Sequence, residues 1–548
     1  MPQSTKYIFV SGGVLSGLGK GTVAASLGYL FKQHGLTVAP IKCENYLNFD
    51  SGLINPIEHG DPFLCEDGAE TDMDLGTYER FLDQNLSMAN FITMGQIYKA
   101  VIDKERSFFY KGEDVEAIPH VTDEIISRFK AVADSSRAEV VIIELGGTAG
   151  EYQNALYYEA ARIMKLQHQD TVVHIHVTYL PTPKHLGEPK TKPTQLSVKY
   201  LNSMGIQPDF IVCRAEAAID RRRQARLALF CNLPEAGIIS APDLKSVYEL
   251  PLVFARQNFS QKVLQKLNLP VTPLKLQAWQ KLNEKISQPK TQTVKVAIVG
   301  KYFATGDYQL NDSYASLYEA LNHAAWANGV DLKIVAINSE KAANLAEKLR
   351  AVDGVIVPIG WGPRGTEGML EAIRFARENR MPYLGLCFGM QLMAVEYARN
   401  VLGLKSANST EINPATPDPV IYIIPDQKKN VKLRAYGGTM RLGKWDCRIK
   451  TGTLAESVYG RTDISERHRH RYEVNEAYVK KLAAKGLVVS GRSLEENLVE
   501  ILELDQVQHP FFIGTQGHPE YKSRPLSPHP IFLKYIHTCS ERSRGVKS

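Results

Sequence analysis

Short apolar segments rich in valine and isoleucine alternate with longer segments of helical periodicity through the first half of the chain. The apolar segments read YIFV, VAPIK, EVVIIEL, TVVHIHV, DFIVCR and GIIS. Alternation of this kind predicts a parallel β-sheet that is covered by helices on both faces. We therefore expect an α/β domain over residues 1–268.

The alternation is interrupted at residues 269–292, where three prolines surround one short amphipathic helix. It resumes with the apolar segment TVKVAIVGKY, a helical pattern over residues 314–328 and the apolar segments LKIVAI and GVIVPI. The proline-rich stretch is typical of an interdomain linker. We expect a second α/β domain with a parallel sheet over residues 293–548, ending in the polar tail ERSRGVKS.

Composition narrows the class of protein. A chain of 548 residues is too long for one ordinary core, and its 44% hydrophobic and 23% charged content is that of a globular protein. The net charge of +6 suits phosphate ligands, and no basic stripe interleaved with aromatic residues points to nucleic acid. Seven scattered cysteines without a C-x-x-C motif, and the lack of a signal peptide or of a long apolar run, predict a cytoplasmic protein with no membrane segment.

The segment Lys6–Thr22, KYIFVSGGVLSGLGKGT, joins a predicted strand to a predicted helix through a glycine-rich turn. Such a turn directs backbone N–H groups and the positive end of the helix dipole towards an anion. Lys20 is placed to reach outer phosphates, and Ser16 or Thr22 supplies a hydroxyl for phosphate or Mg²⁺. The spacing is a variant of the strict phosphate-loop motif. We predict a nucleoside triphosphate site, and the alternative is a plain glycine-rich turn.

Acidic and basic residues follow other predicted strands. Glu144 ends the strand VVIIEL, and therefore lies at the same sheet edge as the glycine turn. Asp74, in EDGAETDMDLG, is a second candidate ligand for Mg²⁺, unless this acid-rich loop is simply solvated. Lys42 either adds a cation for phosphates or is exposed. Residues 190–195, KTKPTQ, either clamp a triphosphate or form a surface loop.

In the second half an apolar strand runs into GLCFGMQ and then into a helix. This is the cysteine counterpart of a nucleophile elbow, in which the turn exposes Cys387 at a helix N-terminus that favours its thiolate. The motif TQGHPE near the end of the chain supplies His518 as a base and Glu520 to orient it. The alternative is a buried structural cysteine.

The motifs GGVLSGLGKGT, EDGAETDMDLGTYERF, KTKPTQ, GLCFGMQ, ANSTE and ERHRHRYEVN together resemble the CTP synthase family along nearly the whole chain. The resemblance implies an amidoligase domain followed by a class I glutamine amidotransferase domain. It implies glutamine hydrolysis at Cys387, passage of ammonia through the protein, and ATP-dependent amination of UTP. It also implies Mg²⁺ as cofactor, GTP as an allosteric activator, CTP as a feedback inhibitor, and a homotetramer.

The same resemblance implies a role for each matching residue. The catalytic residues are Cys387, His518 and Glu520. ATP is bound by Gly17, Leu18, Gly19, Lys20, Gly21, Thr22, Asp74, Pro242, Asp243 and Leu244. UTP or CTP is bound by Ser16, Glu151, Tyr152, Gln153, Lys190, Thr191, Lys192, Pro193, Thr194, Gln195 and Arg226. Glutamine is bound by Gly360, Phe388, Gly389, Met390, Gln391, Glu411 and Arg471. Mg²⁺ is bound by Asp74 and Glu144.

Some positions depart from the family's usual motifs. The family commonly reads GDIE where this chain has Gly150–Gln153, and Glu116 replaces a usual glutamine. Ile359 and Trp361 replace glycine and phenylalanine in the turn PGGFG. Two alternatives follow: a paralogue that aminates a modified pyrimidine nucleotide, and an inactive regulatory or filament-forming relative. The retention of all the catalytic groups favours an enzyme.

Overall fold

The computed structural model describes residues 5–55, 60, 62–185, 187–305, 308–309, 312–341, 343–425, 427–433 and 435–545. The chain divides into two compact units, the first being Met1–Ser51 with Asp74–Glu284 and the second Gly52–Met73 with Lys285–Ser548. The change of unit at Glu284 falls inside the stretch predicted as a linker. The assignment of Gly52–Met73 to the second unit departs from two contiguous domains, because sequence periodicity does not reveal which core a short segment joins.

The bounds of the regular elements are as follows. The strands are β1 (Lys6–Gly12), β2 (Val38–Glu44), β3 (Phe63–Leu64), β4 (Glu70–Thr71), β5 (Phe91–Thr93), β6 (Val140–Leu145), β7 (Val172–Tyr179), β8 (Phe210–Ala215), β9 (Ile238–Pro242), β10 (Thr293–Gly300), β11 (Ala304–Thr305), β12 (Tyr308–Gln309), β13 (Asp331–Asn338), β14 (Gly354–Val357), β15 (Tyr383–Leu386), β16 (Ala407–Ser409), β17 (Asp418–Ile423), β18 (Arg441–Ile449), β19 (Asp463–His470), β20 (Tyr472–Val474), β21 (Leu487–Ser493), β22 (Val499–Leu504) and β23 (Phe512–Thr515). The helices are α1 (Lys20–Gln33), α2 (Met73–Leu82), α3 (Met94–Arg106), α4 (Thr122–Ser136), α5 (Ala155–Gln167), α6 (Lys192–Ser203), α7 (Arg221–Phe230), α8 (Leu250–Arg256), α9 (Phe259–Lys266), α10 (Gln277–Ser287), α11 (Ala315–Asn328), α12 (Leu345–Arg350), α13 (Thr366–Glu378), α14 (Phe388–Asn400), α15 (Gln427–Lys432), α16 (Leu454–Tyr459), α17 (Glu476–Ala483) and α18 (Pro530–Gly545).

The first unit is built on a seven-stranded sheet in the order β5-β2-β6-β1-β7-β8-β9. All of its neighbouring strands are parallel. Every residue of β6 is buried, including Glu144, and its four leading apolar residues are typical of a strand covered on both faces. The carboxyl ends of β1, β2 and β6 meet at one edge, so the glycine turn and Glu144 lie together there.

The second unit contains a nine-stranded sheet in the order β13-β10-β14-β15-β23-β22-β21-β18-β19. Its first five strands are parallel, and the last four continue the sheet in antiparallel pairs, an extension that the sequence pattern did not predict. Parallel pairing sets Leu386 opposite Thr515. The residues after these two strands, which include Cys387 and His518, therefore emerge side by side.

The chain's last segment differs from its prediction. Residues expected to form a polar tail continue α18 as far as Gly545, because Cys539 and Ser543 are buried on the helix's inner face; residues 546–548 lie outside the described part. In the described residues, no helix combines the length and apolar character needed to cross a membrane.

Candidate active sites

The glycine turn of the first unit links β1 to α1. Gly17 and Gly19 adopt φ values of 72° and 77°, the left-handed region that glycine enters most readily. Lys20 opens the helix and donates from Nζ to the carbonyl oxygen of Gly147 at 2.8 Å. Burial lowers the pKa of Lys20, and the nearby Glu144 carboxylate acts in the opposite direction. The turn thus presents a buried ammonium at a helix N-terminus, an arrangement suited to phosphate.

Lys42 lies at the centre of a carboxylate cluster beside this turn. Its Nζ is 3.0 Å from Glu144 Oε1 and 3.3 Å from Glu44 Oε1, and it also pairs with Asp74 Oδ2. The Tyr78 hydroxyl donates to the other oxygen of Glu144. Burial raises the pKa of Glu144, and the Asp74 charge adds to this effect. Lys42 is therefore buried and ion-paired rather than exposed, and Asp74 is not merely part of a solvated loop.

The two carboxylates predicted to bind Mg²⁺ face one point at the start of α1. A Cβ atom placed on Gly21 would lie 2.4 Å from Asp74 Oδ1 and 3.3 Å from Glu144 Oε2. Within the described ranges, no group of three or more His, Cys, Asp or Glu side chains forms a metal site. Two carboxylates beside a phosphate turn nevertheless fit Mg²⁺, which commonly takes one or two carboxylates together with phosphate oxygens.

Arg214, which no sequence motif indicated, joins the two stretches that the family resemblance assigns to ATP. It donates from Nη1 to the Leu18 carbonyl oxygen at 3.4 Å and pairs through Nη2 with Asp243 Oδ1 at 2.9 Å. Arg214 lies near the end of β8, and a basic residue at the carboxyl end of a parallel strand was the available signal. Its guanidinium adds positive charge next to the glycine turn.

A basic cleft of about 550 Å³ collects part of the set predicted for UTP or CTP. Its lining residues are Glu188, Pro189, Lys190, Thr191, Lys192, Arg222, Arg223 and Arg226. Thr194 instead faces inward and shares a 3.1 Å hydrogen bond with Thr178, while Gln195 donates to Thr191 Oγ1 at 3.1 Å. The cleft thus brings together Lys190, Thr191, Lys192 and Arg226.

The other residues of that predicted set lie elsewhere. Ser16, Tyr152 and Gln153 are exposed and do not line the basic cleft. Glu151 turns back on its own loop, where Oε1 accepts from the Thr148 backbone N–H at 2.9 Å and from the Thr148 hydroxyl at 2.6 Å. In this structure the Glu151 carboxylate stabilises the loop after Gly147.

A buried series of side-chain hydrogen bonds lies beneath the glycine turn, and no sequence pattern predicted it. The Ser11 hydroxyl bonds His174 Nε2 at 2.7 Å and His176 Nδ1 at 2.8 Å, and His176 Nε2 bonds the Ser197 hydroxyl at 2.7 Å. Burial lowers the pKa of both histidines to about 3, so they are neutral at physiological pH. These hydrogen bonds link β1, β7 and α6, and α6 begins inside the segment 190–195.

In the second unit, Cys387 forms the elbow between β15 and α14, but its side chain is buried, whereas the sequence predicted an exposed one. Its backbone has φ 51° and ψ −99°, a strained conformation for a residue with a side chain. The Cys387 N–H donates to the Thr515 carbonyl oxygen at 2.8 Å, and Gln516 Nε2 lies 3.4 Å from the thiol sulfur. The elbow thus holds the sulfur at a helix N-terminus, beside the segment that carries His518.

His518 and Glu520 form a buried pair next to the thiol. Glu520 Oε1 lies 2.7 Å from His518 Nδ1, which leaves Nε2 as the ring nitrogen for the cysteine. Burial acts to lower the pKa of His518, but Glu520 and then Cys387 outweigh it and raise that pKa to about 10. The site therefore favours an imidazolium beside the sulfur, as nucleophilic cysteine chemistry requires.

A cavity of about 440 Å³ brings together the charged residues predicted to bind glutamine. Its lining residues are Gly52, Leu53, Ile54, Asn55, Trp361, Glu411, Val431, Tyr436, Met440, Arg469, Arg471 and Tyr472. Glu411 Oε1 accepts from the Gly362 N–H at 2.7 Å, and Arg471 donates to Gln427 Oε1 at 2.6 Å. Burial raises the pKa of Glu411. A carboxylate and a guanidinium in one cavity match the ammonium and carboxylate of an amino acid.

The remaining residues predicted for glutamine do not line this cavity. Gly389 and Met390 are buried in α14, and Gln391 donates to the Tyr472 carbonyl oxygen at 2.9 Å. Gly360 and Phe388 lie against the side chain of Lys301, a residue that no sequence motif indicated.

Two family models match successive parts of the chain. Residues 6–269 match the family model described as CTP synthase N-terminus, and residues 309–538 match that of glutamine amidotransferase class-I. The CTP synthase of Caldanaerobacter subterraneus is 49% identical over 97% of each chain, and that of Thermococcus gammatolerans is 48% identical over 99% of this chain and 100% of its own. A solved glutaminase domain of Trypanosoma brucei CTPS with bound acivicin is 33% identical, covering 45% of this chain and 94% of its own with a TM-score of 0.42.

Proposed function

The chain belongs to the CTP synthase family and is a glutamine-hydrolysing ligase, and we propose that it aminates UTP to CTP with ammonia from glutamine and energy from ATP. The observation that carries the proposal is the extent of the similarity, which spans 97% or more of both chains and so includes the glycine turn and the cysteine elbow. Free ammonia would serve in place of glutamine.

The second unit would release ammonia. The Cys387 thiolate attacks the carboxamide carbon of glutamine, and a thioester forms as ammonia leaves. The imidazolium of His518, held by Glu520 at 2.7 Å, protonates the leaving nitrogen. The neutral imidazole then activates a water molecule that hydrolyses the thioester to glutamate. Glu411 and Arg471 would hold the amino acid end of glutamine during both steps.

The first unit would consume the ammonia. Lys20 and the N-terminal end of α1 would hold the outer phosphates of ATP, and Lys190, Lys192 and Arg226 those of UTP. The γ-phosphoryl group passes to the oxygen at position 4 of the pyrimidine, and ADP leaves. Ammonia then displaces phosphate from that carbon, which yields CTP and inorganic phosphate.

We propose Asp74 and Glu144 as the residues that hold Mg²⁺, since both carboxylates face Gly21 beside the phosphate turn. Mg²⁺, when bound, neutralises charge on the phosphate oxygens. Activation by GTP, feedback by CTP and a homotetramer are part of the same proposal. A cytoplasmic location fits the seven free, buried cysteines.

Product identification tests the proposal. The purified protein is incubated with UTP, ATP, Mg²⁺ and either glutamine or ammonium. The nucleotide products are then separated and identified by mass spectrometry. We expect CTP, ADP and phosphate in equal amounts, with one glutamate per CTP when glutamine is the source. Turnover of glutamine without CTP would instead point to another pyrimidine nucleotide as acceptor, and turnover of neither would favour an inactive relative.

A further inference from the structure

Lys301 follows β10 and is a buried lysine that the mechanism above does not use. Only 2% of its surface is exposed. Its Nζ donates to the Trp361 carbonyl oxygen at 2.8 Å and to the Gly362 carbonyl oxygen, and lies 4.4 Å from the centre of the Phe388 ring. Burial of an ammonium is costly, so its placement against this turn calls for a functional reason.

The two ends of a single peptide group explain what this contact does. The carbonyl of Trp361 and the N–H of Gly362 belong to the same planar unit. Lys301 donates to the oxygen of this peptide unit, and the Gly362 N–H of the same unit donates to Glu411 Oε1 at 2.7 Å. A cation on the carbonyl fixes the plane of the peptide and strengthens its N–H as a donor. The position of Lys301 is thereby transmitted to Glu411.

Other contacts fix the turn on either side. The Trp361 N–H donates to the Tyr302 hydroxyl at 3.1 Å, and the Tyr314 hydroxyl donates to the Ile359 carbonyl oxygen at 3.4 Å. These hydroxyls are neutral and bind other peptide groups of the turn. Lys301 is thus the cationic contact on the peptide that holds Glu411.

We propose that Lys301 is a positioning residue for substrate specificity, which orients Glu411 through the peptide of Trp361 and Gly362 so that the site selects an amide bearing an α-ammonium group. The inference rests on the proposed glutamine hydrolysis. It assigns to Lys301 the discrimination between glutamine and glutaramate, the same amide without the α-amino group.

Because Lys301 acts through its charge, we expect the selection for an α-ammonium group to depend on pH. Burial lowers the pKa of Lys301 to about 8, with the carboxylates of Glu411 and Glu340 opposing this and Arg364 adding to it. The protonated fraction of Lys301 therefore falls as the pH rises through about 8. Selection for the α-ammonium group should weaken over that range, whereas an arginine in its place would stay charged.

The test compares hydrolysis of glutamine and glutaramate by the full-length protein. In Lys301→Met, we expect the ratio of the two kcat/KM values to fall about tenfold, because one charge-assisted contact is lost, while glutaramate hydrolysis stays near the wild-type rate. Lys295→Met, an exposed position on β10, the strand that precedes Lys301, is the matched control and should leave the ratio unchanged. In a Glu411→Ala background, Lys301→Met should change the ratio no further, since both act on one contact.

The other outcomes are decisive as well. An unchanged ratio in an active Lys301→Met protein overturns the proposal, and so does an equal loss with both amides, which would mean a structural role. If Lys301→Met does not fold, wild type and Lys301→Arg are compared between about pH 7 and pH 9. The α-amine of glutamine titrates in the same way for wild type and Lys301→Arg. Equal pH profiles of the selectivity ratio in the two proteins therefore refute the role of Lys301. A wild type that hydrolyses neither amide refutes the proposed function instead.

Discussion

Replacing Gly21 by alanine should separate the two chemistries of this chain. The new Cβ atom would lie 2.4 Å from Asp74 Oδ1 and 2.9 Å from Asp74 Cγ, whereas ordinary contacts begin near 3.4 Å. The carboxylate must therefore retreat by about 1 Å, and Lys42, which is paired with it, opposes that movement. A misplacement of about 1 Å in an active site can cost about a hundredfold in rate.

The assay measures CTP formed from UTP, ATP and ammonium at increasing Mg²⁺. We expect Gly21→Ala to lose about a hundredfold in rate and to need more Mg²⁺, with glutamine hydrolysis unchanged. Alanine is favoured over glycine within a helix, so loss of α1 is not the expected cause. The matched control is Gly28→Ala in the same helix, whose Cβ would meet the side chains of Leu82 and Ile142 and no predicted ligand.

Two results would refute this reasoning. A Gly21→Ala protein that retains at least about a third of the wild-type rate would mean that Asp74 is not needed where the structure places it. An equal loss in Gly28→Ala would mean that repacking of α1, rather than displacement of a carboxylate, causes the effect.

Three further predictions concern the proposed sites. Cys387→Ala should abolish CTP synthesis from glutamine and preserve synthesis from ammonium; loss of both would argue against two coupled sites. Lys20→Ala should lose both routes, and near-normal synthesis from ammonium would remove Lys20 from the phosphate site. The family resemblance implies that residues 150–153 contact CTP, although they lie outside the basic cleft. On that basis Glu151→Asp combined with Gln153→Glu should tighten CTP inhibition by about ten- to a hundredfold, since a charged hydrogen bond is restored; equal inhibition constants would agree with the structure, in which Glu151 binds its own loop.

The features that were predictable from the sequence carry local signals. The parallel strands around β6 read as short, mainly apolar runs because both faces are covered, and the glycine turn and the cysteine elbow each lie within a few residues of their strand and helix. Such signals are independent of the rest of the chain, and so a single sequence reveals them.

What could not be predicted depends on distant partners. β19, DISERHRH, reads as a solvated charged run, yet Arg467 and His468 on it are buried. Arg469 on the same strand pairs with Glu70 at 2.6 Å and donates to the Gly52 carbonyl oxygen at 3.3 Å, and such contacts make its burial tolerable. Likewise, Lys42 and Lys301 look like ordinary strand-end lysines until their carboxylate and carbonyl partners are brought beside them.

The placement of residues 52–73 in the second unit has a consequence for how the protein is made. Glu70 and its partner Arg469 are 399 residues apart in the chain. At a synthesis rate of about 5 to 20 residues per second, β3 and β4 leave the ribosome roughly 20 to 80 seconds before the strand that receives them. The first unit can complete its sheet during this interval, before the parts of the second unit that contact residues 52–73 have been synthesised. A nascent chain that stops after β9 would therefore carry Glu70 without its arginine partner. A chaperone that shields this segment would assist folding of the second unit only.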